Sequence, residues 1–503
     1  MDIAAWFATV FGFMEHVIIF YVGAINSTYF LLTTLGYFAL RRSHGNLSRS
    51  ERDSLLRSSL VPAVSVLAPA YNESATVKDS VRALLRLHYP NYEVIVINDG
   101  SKDATMQVLT EEFHLYKSSR RHAGSLATKR VRAVYESRDP IRLVVIDKEN
   151  GGKADALNAG LNAARSPLVA AIDSDSLLEP DALLAVTRPF LEDPERTVAA
   201  GGIVRVVNGC DVQHGTVTRI AAPPSLLARF QAVEYLRAFL GGRVAFSFMN
   251  ALMLISGAFG LFRRDVIMKA GGFLATTVGE DMELVVRLHR LLREQKRDYR
   301  IVFVPEPICW TEVPERWRTL YRQRNRWQRG TVESLWRHRR MMLNPDYGMA
   351  GLAGFPYFAL FEMIGPAIEL LGYVLTVAGL ALRIISWDTA IVFFAMSVLF
   401  GILLSISAIT LEEATTRRYP SPADVAKLFV AAVIENLGFR QLLTVWRTKG
   451  LIDALRKKRG WGRWSASASA GRNPRAEPPQ VERRGNTRYT PVTADRCAAC
   501  AAA

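Results

Sequence analysis

Hydrophobic residues follow two regimes along this chain. Val17 to Leu40 contains no charged residue, and its 24 residues are enough for one tilted helix across a hydrocarbon core of ~30 Å. From about Val61 the pattern changes to short apolar runs rich in Val and Ile: Val64–Leu67, Glu93–Ile97, Leu143–Ile146 and Leu168–Ile172. Each ends at a polar or Gly-containing loop, and helical stretches such as Val77–Leu87 and Ala154–Ala164 lie between them. This alternation predicts an α/β fold, a parallel sheet covered by helices. Ligands in such sheets sit at the carboxyl ends of the strands. Here those ends carry Asn72-Glu73, Asp99, Asp147-Lys148 and Asp173. Residues around 105–140 are basic and irregular, and read as a solvated insertion.

Further along, Gly348–Phe361, with Pro356, reads as an amphipathic helix lying in a membrane interface. Met363–Leu382 and Ala390–Thr410 are apolar enough to cross outward and return. Ala423–Trp446 contains Lys427, Glu435, Asn436 and Arg440, and if it spanned, the basic Arg447–Arg463 segment would lie outside. It is therefore assigned to the interface, which leaves three spans. Beyond Ser465 no core-forming pattern remains and disorder is expected. The resulting division is a transmembrane helix in 1–42, an α/β domain in 61–345, interfacial and transmembrane helices in 346–464 and a disordered tail in 465–503.

Composition sharpens this division. Half of the 503 residues are hydrophobic, high for a soluble enzyme and low for an all-helical transporter. The net charge of +16 would suit nucleic acid, but much of the excess adjoins the apolar segments, at Arg41-Arg42, Arg417-Arg418 and Arg456-Lys457-Lys458-Arg459. That placement follows the positive-inside bias and favours anionic headgroups, so the expected partner is a membrane and no nucleic acid. The same asymmetry puts the N-terminus outside and the α/β domain in the cytoplasm. The segment before Val17 carries Asp2 and Glu15 and lacks the basic start of a signal peptide. Cys210 and Cys309 are isolated, and Cys497-x-x-Cys500 has no second ligand pair, so neither a disulfide framework nor a metal knuckle is expected.

Several clusters at the strand ends carry chemistry. Tyr71, followed by Asn72-Glu73, offers a ring to stack on a base and a carboxylate to accept from it, and Asn98-Asp99-Gly100-Ser101 ends the next run. Gly151-Gly152-Lys153 opens a helix, with Asp155 in its first turn, and suits close approach to a phosphate. Asp173-Ser174-Asp175 places two carboxylates after an apolar strand, where they can share Mg²⁺ or Mn²⁺ with a diphosphate. Glu280-Asp281 opens an apparent helix, Met282–Leu292, after a loop of small residues. A carboxylate here can take the proton of an attacking hydroxyl; Asp281 is the candidate, although spacing does not separate it from Glu280. Gln323-x-x-Arg326-Trp327 combines a cation for phosphate with a flat face for a sugar ring.

Asp99, Asp173-x-Asp175, Asp281 and Gln323-x-x-Arg326-Trp327, in that order, resemble the signature of inverting family-2 glycosyltransferases with the GT-A fold, over Val64 to about Gly330. The resemblance is closest to membrane-bound processive synthases of the cellulose, hyaluronan and poly-N-acetylglucosamine type. It implies that Tyr71, Glu73, Asp99, Lys153, Asp155 and Asp173 contact the nucleotide and donor. Asp173 and Asp175 would hold the metal-diphosphate, Asp281 would be the base, and Gln323, Arg326 and Trp327 would hold acceptor and pyrophosphate. It further implies an inner-membrane enzyme that uses an α-linked UDP-sugar, UDP-GlcNAc or UDP-glucose, to extend a β-linked polysaccharide, with a small membrane subunit or a homo-oligomer as possible partner. Transfer of a single sugar to a lipid-linked acceptor and an inactive scaffold are the competing expectations. Gly279 stands where the family often has Thr.

Overall fold

The computed structural model describes residues 3–42, 49–58, 60–120, 124–213 and 215–456. The expected disordered tail and Cys497-x-x-Cys500 lie outside them. The strands are β1 (Val64–Ala70), β2 (Tyr92–Asp99), β3 (Leu115–Lys117), β4 (Val131–Ser137), β5 (Leu143–Lys148), β6 (Leu168–Ile172), β7 (Leu177–Leu178) and β8 (Thr197–Val206), followed by a separate hairpin, β9 (Asp211–Gln213) with β10 (Thr216–Arg219), then β11 (Phe259–Arg263) and β12 (Arg300–Thr311). Ten of them form one sheet in the order β3-β4-β5-β2-β1-β6-β11-β8-β12-β7.

The centre of the sheet, β5-β2-β1-β6, is parallel as the apolar runs predict. Val64, Val66, Leu67, Ile95, Ile97, Val145 and Ile146 are fully buried there, so these strands carry apolar residues on both faces. The whole sheet is mixed, however, because β4, β11 and β7 pair antiparallel with their neighbours. The expected insertion at 105–140 is a correction of the same kind. It holds a helix, Thr105–Glu112, and the edge strands β3 and β4, whose partly exposed, charge-bearing residues hide the strand period.

Register positions the site. β2 and β5 pair Asp99 with Lys148 at their carboxyl ends. β11 runs against β6, pairing Phe259 with Ile172, which brings Ser256–Ala258 beside Asp173, whose N–H donates to the Ala258 carbonyl at 3.3 Å.

Among the described residues four helical stretches are long and apolar enough to cross a membrane: Gly12–Arg41, Ala350–Ala381, Trp387–Thr415 and Pro422–Leu455. Three were expected. Gly348–Phe361, read as a separate interfacial helix, is continuous with Gly365–Ala381 through the π-helical turns Ala350–Gly354 and Phe358–Ile364. The fourth stretch is broken at Leu437 and Gly438, where Gly438 has φ of 121°, a value suited to glycine. Its two pieces, Pro422–Ile434 and Arg440–Leu455, have 13 and 16 residues. Each is shorter than the ~20 residues a span requires.

These helices are fastened to the α/β domain. A Cβ added at Gly36 would lie 2.9 Å from the Gly241 carbonyl oxygen, so the N-terminal helix lies close against the π-helical turn Arg237–Arg243. Arg205 of β8 donates to Glu412 at 2.6 Å, both side chains almost fully buried. Arg237 donates to Glu435 at 2.7 Å, and Ser405 donates to the same oxygen at 2.6 Å.

Candidate active site

The carboxyl edge of the sheet is built in two tiers. In the lower one, Lys148 is fully buried, with Nζ 2.6 Å from Asp99 Oδ1 and 2.6 Å from Asp155 Oδ1. Asp99 also accepts the N–H groups of Gly151 at 3.0 Å and Gly152 at 2.7 Å. Asp155 accepts the Lys129 N–H at 3.0 Å. A charge this deep is tolerated because two carboxylates answer it. Asp99 and Asp155 therefore hold the glycine turn that starts the Lys153–Ala163 helix. Lys148 is the residue that the sequence motifs did not assign.

The upper tier is centred on Lys153. Its ammonium is ion-paired with Asp173, lies 3.5 Å from Glu280 Oε1 and donates to the Gly257 carbonyl at 3.1 Å. The carboxylates of Asp173, Glu280 and Asp281 hold its pKa above the ordinary lysine value against the opposing effect of burial. Gly257 in turn donates its N–H to Asp281 Oδ2 at 3.1 Å. A Cβ at position 257 would lie 2.9 Å from Lys153 Nζ and 3.1 Å from Asp281 Oδ2, so glycine keeps this junction open. Glu280 and Asp281 begin the Glu280–Glu294 helix, whose N-terminal dipole favours anions. They differ in access: Glu280 is buried, and that burial raises its carboxyl, whereas Asp281 is partly exposed.

Asp175 stands at the mouth of the cleft, open to water at its surface but surrounded by protein at longer range. That partial withdrawal from solvent, followed by the charges of Asp173 and Glu73, pushes its carboxyl up to about 7. Glu73 accepts from Ser174 Oγ at 3.3 Å, which ties the β1 end to the Asp173–Asp175 turn. Tyr71, at the same edge, is exposed. Such crowding of carboxylates fits a divalent cation that takes its other ligands from water and phosphate. Among the described residues no three His, Cys, Asp or Glu side chains are grouped to hold one unaided.

Gln323, Arg326 and Trp327 lie on the Trp317–Arg337 helix. Trp327 is exposed, with the Arg324 guanidinium 4.4 Å from its ring centroid, and Arg324 is itself paired with Glu234 at 2.8 Å. Gln323 Oε1 is buried and has no hydrogen-bond partner among the described residues. This helix meets the loop before Glu280 by backbone packing and by hydrogen bonds: a Cβ on Gly279 would sit 2.8 Å from Gly330 Cα, and Glu333 accepts from Thr277 Oγ1 at 2.9 Å and from the Val278 N–H at 3.1 Å. Gly279 thus stands where the start of the Glu280–Glu294 helix meets the Trp317–Arg337 helix backbone to backbone. On the far side Gln328 accepts from Arg447 Nε at 2.9 Å and donates to the carbonyls of Glu362 and Met363, so the C-terminal helices hold this helix in place.

Residues 65–271 match the sequence profile of Glycosyl transferase family 2, and residues 275–420 match that of Chitin synthase. The family-2 match takes in the strand ends that carry Asp99, Asp173 and Asp175 and stops before Glu280 and Asp281. A poly-β-1,6-N-acetyl-D-glucosamine synthase of Staphylococcus epidermidis is 29% identical over 315 residues, covering 62% of this chain and 64% of its own. One from Staphylococcus aureus strain COL is 27% identical over 303 residues, covering 60% and 61%. The chain thus matches a little under two thirds of the length of these relatives. Among solved structures, the mannosyltransferase PcManGT of Pyrobaculum calidifontis, in complex with GDP-Man and Mn²⁺, superimposes with a TM-score of 0.50 at 19% identity, over 84% of this chain and 99% of that one. That likeness supports the GT-A fold.

Proposed function

We propose that this chain is a membrane-bound inverting glycosyltransferase that extends a β-linked polysaccharide from a UDP-sugar, with UDP-GlcNAc as the leading donor. The observation that carries the reading is the junction at Gly257, where Lys153, Asp173 and the adjacent Glu280 and Asp281 converge from three separate segments. The named activity of the staphylococcal relatives favours polymer synthesis and N-acetylglucosamine.

In this reading the donor's nucleotide lies along the β1 and β2 ends near Tyr71 and Glu73, and Lys153 meets its diphosphate. Asp173 and Asp175 would hold Mg²⁺ or Mn²⁺, which when bound neutralises charge on the leaving diphosphate. Asp281 takes the proton of the acceptor hydroxyl, being the more exposed member of its pair. That oxygen forms its bond to the anomeric carbon as the bond to the diphosphate breaks, UDP departs, and the configuration inverts. Trp327 offers the acceptor a flat face, and Arg326 meets the pyrophosphate. The positive-inside bias at Arg41-Arg42 and Arg417-Arg418 supports a cytoplasmic position for the domain.

Purified full-length protein supplied with labelled UDP-GlcNAc or UDP-glucose tests the reading. A ladder of polymer is expected; one lipid-linked product would replace it with single transfer, and no transfer from any UDP-sugar would leave a scaffold.

A further inference from the structure

The helix that carries Gln323, Arg326 and Trp327 has a back as well as a front. At about 3.6 residues per turn, Trp317, Tyr321, Asn325 and Gln328 share one face of the Trp317–Arg337 helix. The Arg440–Leu455 helix covers that face. The Trp446 ring centroid lies 6.1 Å from that of Trp317 and 5.6 Å from that of Tyr321, and Asn325 donates to Asp453 at 3.1 Å. A Cβ on Gly450 would sit 2.8 Å from Gln328 Cβ and 3.0 Å from the Asn325 carbonyl oxygen, so glycine lets the two helices approach closely. Gln323 and Arg326 lie on the opposite face, the one whose Gly330 and Glu333 meet the loop before Glu280.

Packing of this kind resists separation but tolerates sliding. What fixes the register is a polar junction whose origin is in the sequence. Pro366 has no N–H, so the carbonyl of Glu362, four residues earlier, is left without its helical donor. Side chains from two other helices supply one: Gln328 donates to this carbonyl at 3.0 Å and Arg447 at 2.6 Å. The Gln328 amide also donates to the Met363 carbonyl at 2.9 Å, while its oxygen accepts from Arg447 Nε at 2.9 Å. Arg447 donates as well to Glu362 Oε2 at 2.8 Å, and Glu362 Oε1 accepts from the Tyr29 and Tyr357 hydroxyls, both at 3.2 Å. Four helical segments meet here through directional bonds, and sliding any one of them would break several together. Glu362 and Arg447 belong to two of the apolar stretches, where charged side chains are costly and are kept when function needs them.

We infer that Arg447 is a positioning residue for the acceptor side of the reaction: through Gln328 and Glu362 it sets where the Trp317–Arg337 helix holds Gln323, Arg326 and Trp327. The Arg440–Leu455 helix is then a working part of the transferase as well as an attachment to the membrane. The inference rests on the glycosyltransferase reading above and deepens it. The donor side is held separately, by the glycine turn and the sheet edge, so loss of Arg447 should fall on the acceptor.

The test uses full-length enzyme in detergent, with UDP and Mn²⁺ in calorimetry and UDP-GlcNAc with a β-linked N-acetylglucosamine tetrasaccharide in turnover assays. Arg447→Met should raise the acceptor KM by roughly 10–100-fold, the scale of a binding group misplaced by about 1 Å. UDP affinity, to which Arg326 is one contact of several, should fall by no more than about three-fold. Loss of folded protein would instead lower kcat and leave KM alone. Gly450→Ala keeps every polar group of the junction and favours helix, but its methyl meets Gln328, so the acceptor KM should rise there too, by about 3–10-fold. It carries the test should Arg447→Met fail to fold. Tyr373→Phe, which removes a 2.5 Å hydrogen bond to Glu369 within the Gly365–Ala381 helix, is the comparison and should leave the acceptor KM unchanged. An acceptor KM unmoved in Arg447→Met and Gly450→Ala overturns the positioning role, as does an equal rise in Tyr373→Phe or a loss of UDP affinity as large as the rise in KM. A wild-type enzyme that binds no UDP would instead refute the glycosyltransferase reading, and the positioning role would fall with it.

Discussion

Replacing Lys148 with Met removes the one cation from a pocket that keeps two carboxylates. The side chains of Asp99 and Asp155 are 5% and 11% exposed and each lies 2.6 Å from Lys148 Nζ, so neither can recover its solvation by moving to water. Removing one partner of a buried ionic cluster costs about 3–5 kcal/mol. For a domain of this size that corresponds to a fall in Tm of roughly 6–20 °C. Turnover should fall as well, because the freed Asp99 no longer fixes the Gly151–Gly152 turn that presents Lys153. Adding Asp155→Asn removes one of the stranded charges while its amide oxygen can still accept the Lys129 N–H, so the double variant should regain at least half of the lost Tm. Intrinsic fluorescence melts of the detergent-solubilised enzyme measure both. A Lys148→Met variant that melts within about 1 °C of wild type would refute the ionic account, because stranding two buried carboxylates demands a far larger drop. So would a double variant no more stable than the single one.

Asp281→Asn should lower turnover by roughly 10²–10⁴-fold with UDP binding intact, measured by UDP release against calorimetry; unaltered product formation would exclude it as the base. Gly279→Thr should destabilise by about 1–3 kcal/mol, because its Cβ meets Gly330 Cα at 2.8 Å, and a thermal melt reads this directly. His289 is buried, accepts from Tyr299 Oη at 2.6 Å and donates to the Leu252 carbonyl at 2.9 Å, and burial lowers its pKa to about 4. Its folded value lies below the unfolded one, so its contribution is complete above about pH 6.5 and is lost as pH falls toward 4, on the order of 3 kcal/mol. Melts across that window should flatten in His289→Gln.

The strand ends were legible because Val- and Ile-rich runs stopping at Asp99, Asp173 and the β1 loop obey a simple rule of sheet geometry. The mixed topology was not. β11 inserts between β6 and β8 through pairings that no local pattern encodes, and so Gly257 stayed hidden although it touches both Lys153 and Asp281. Lys148 was visible at a strand end, but lysines are seldom buried, and its role depends on Asp99 and Asp155 meeting around it in space. Residues 105–140 were misread because edge strands with one solvated face carry charges such as Arg132 and Glu136. The substitution at Gly279 made sense only once Gly330 was found against it.

The buried pairs Arg205–Glu412 and Arg237–Glu435 have a practical corollary for anyone handling this enzyme. Cutting the chain after residue 345 would keep both guanidiniums and discard both of their counter-ions, leaving two orphaned cations on a freshly exposed greasy scar. Such a fragment should clump instead of folding, so the α/β half depends on the helices that follow it to stay in solution as a folded body.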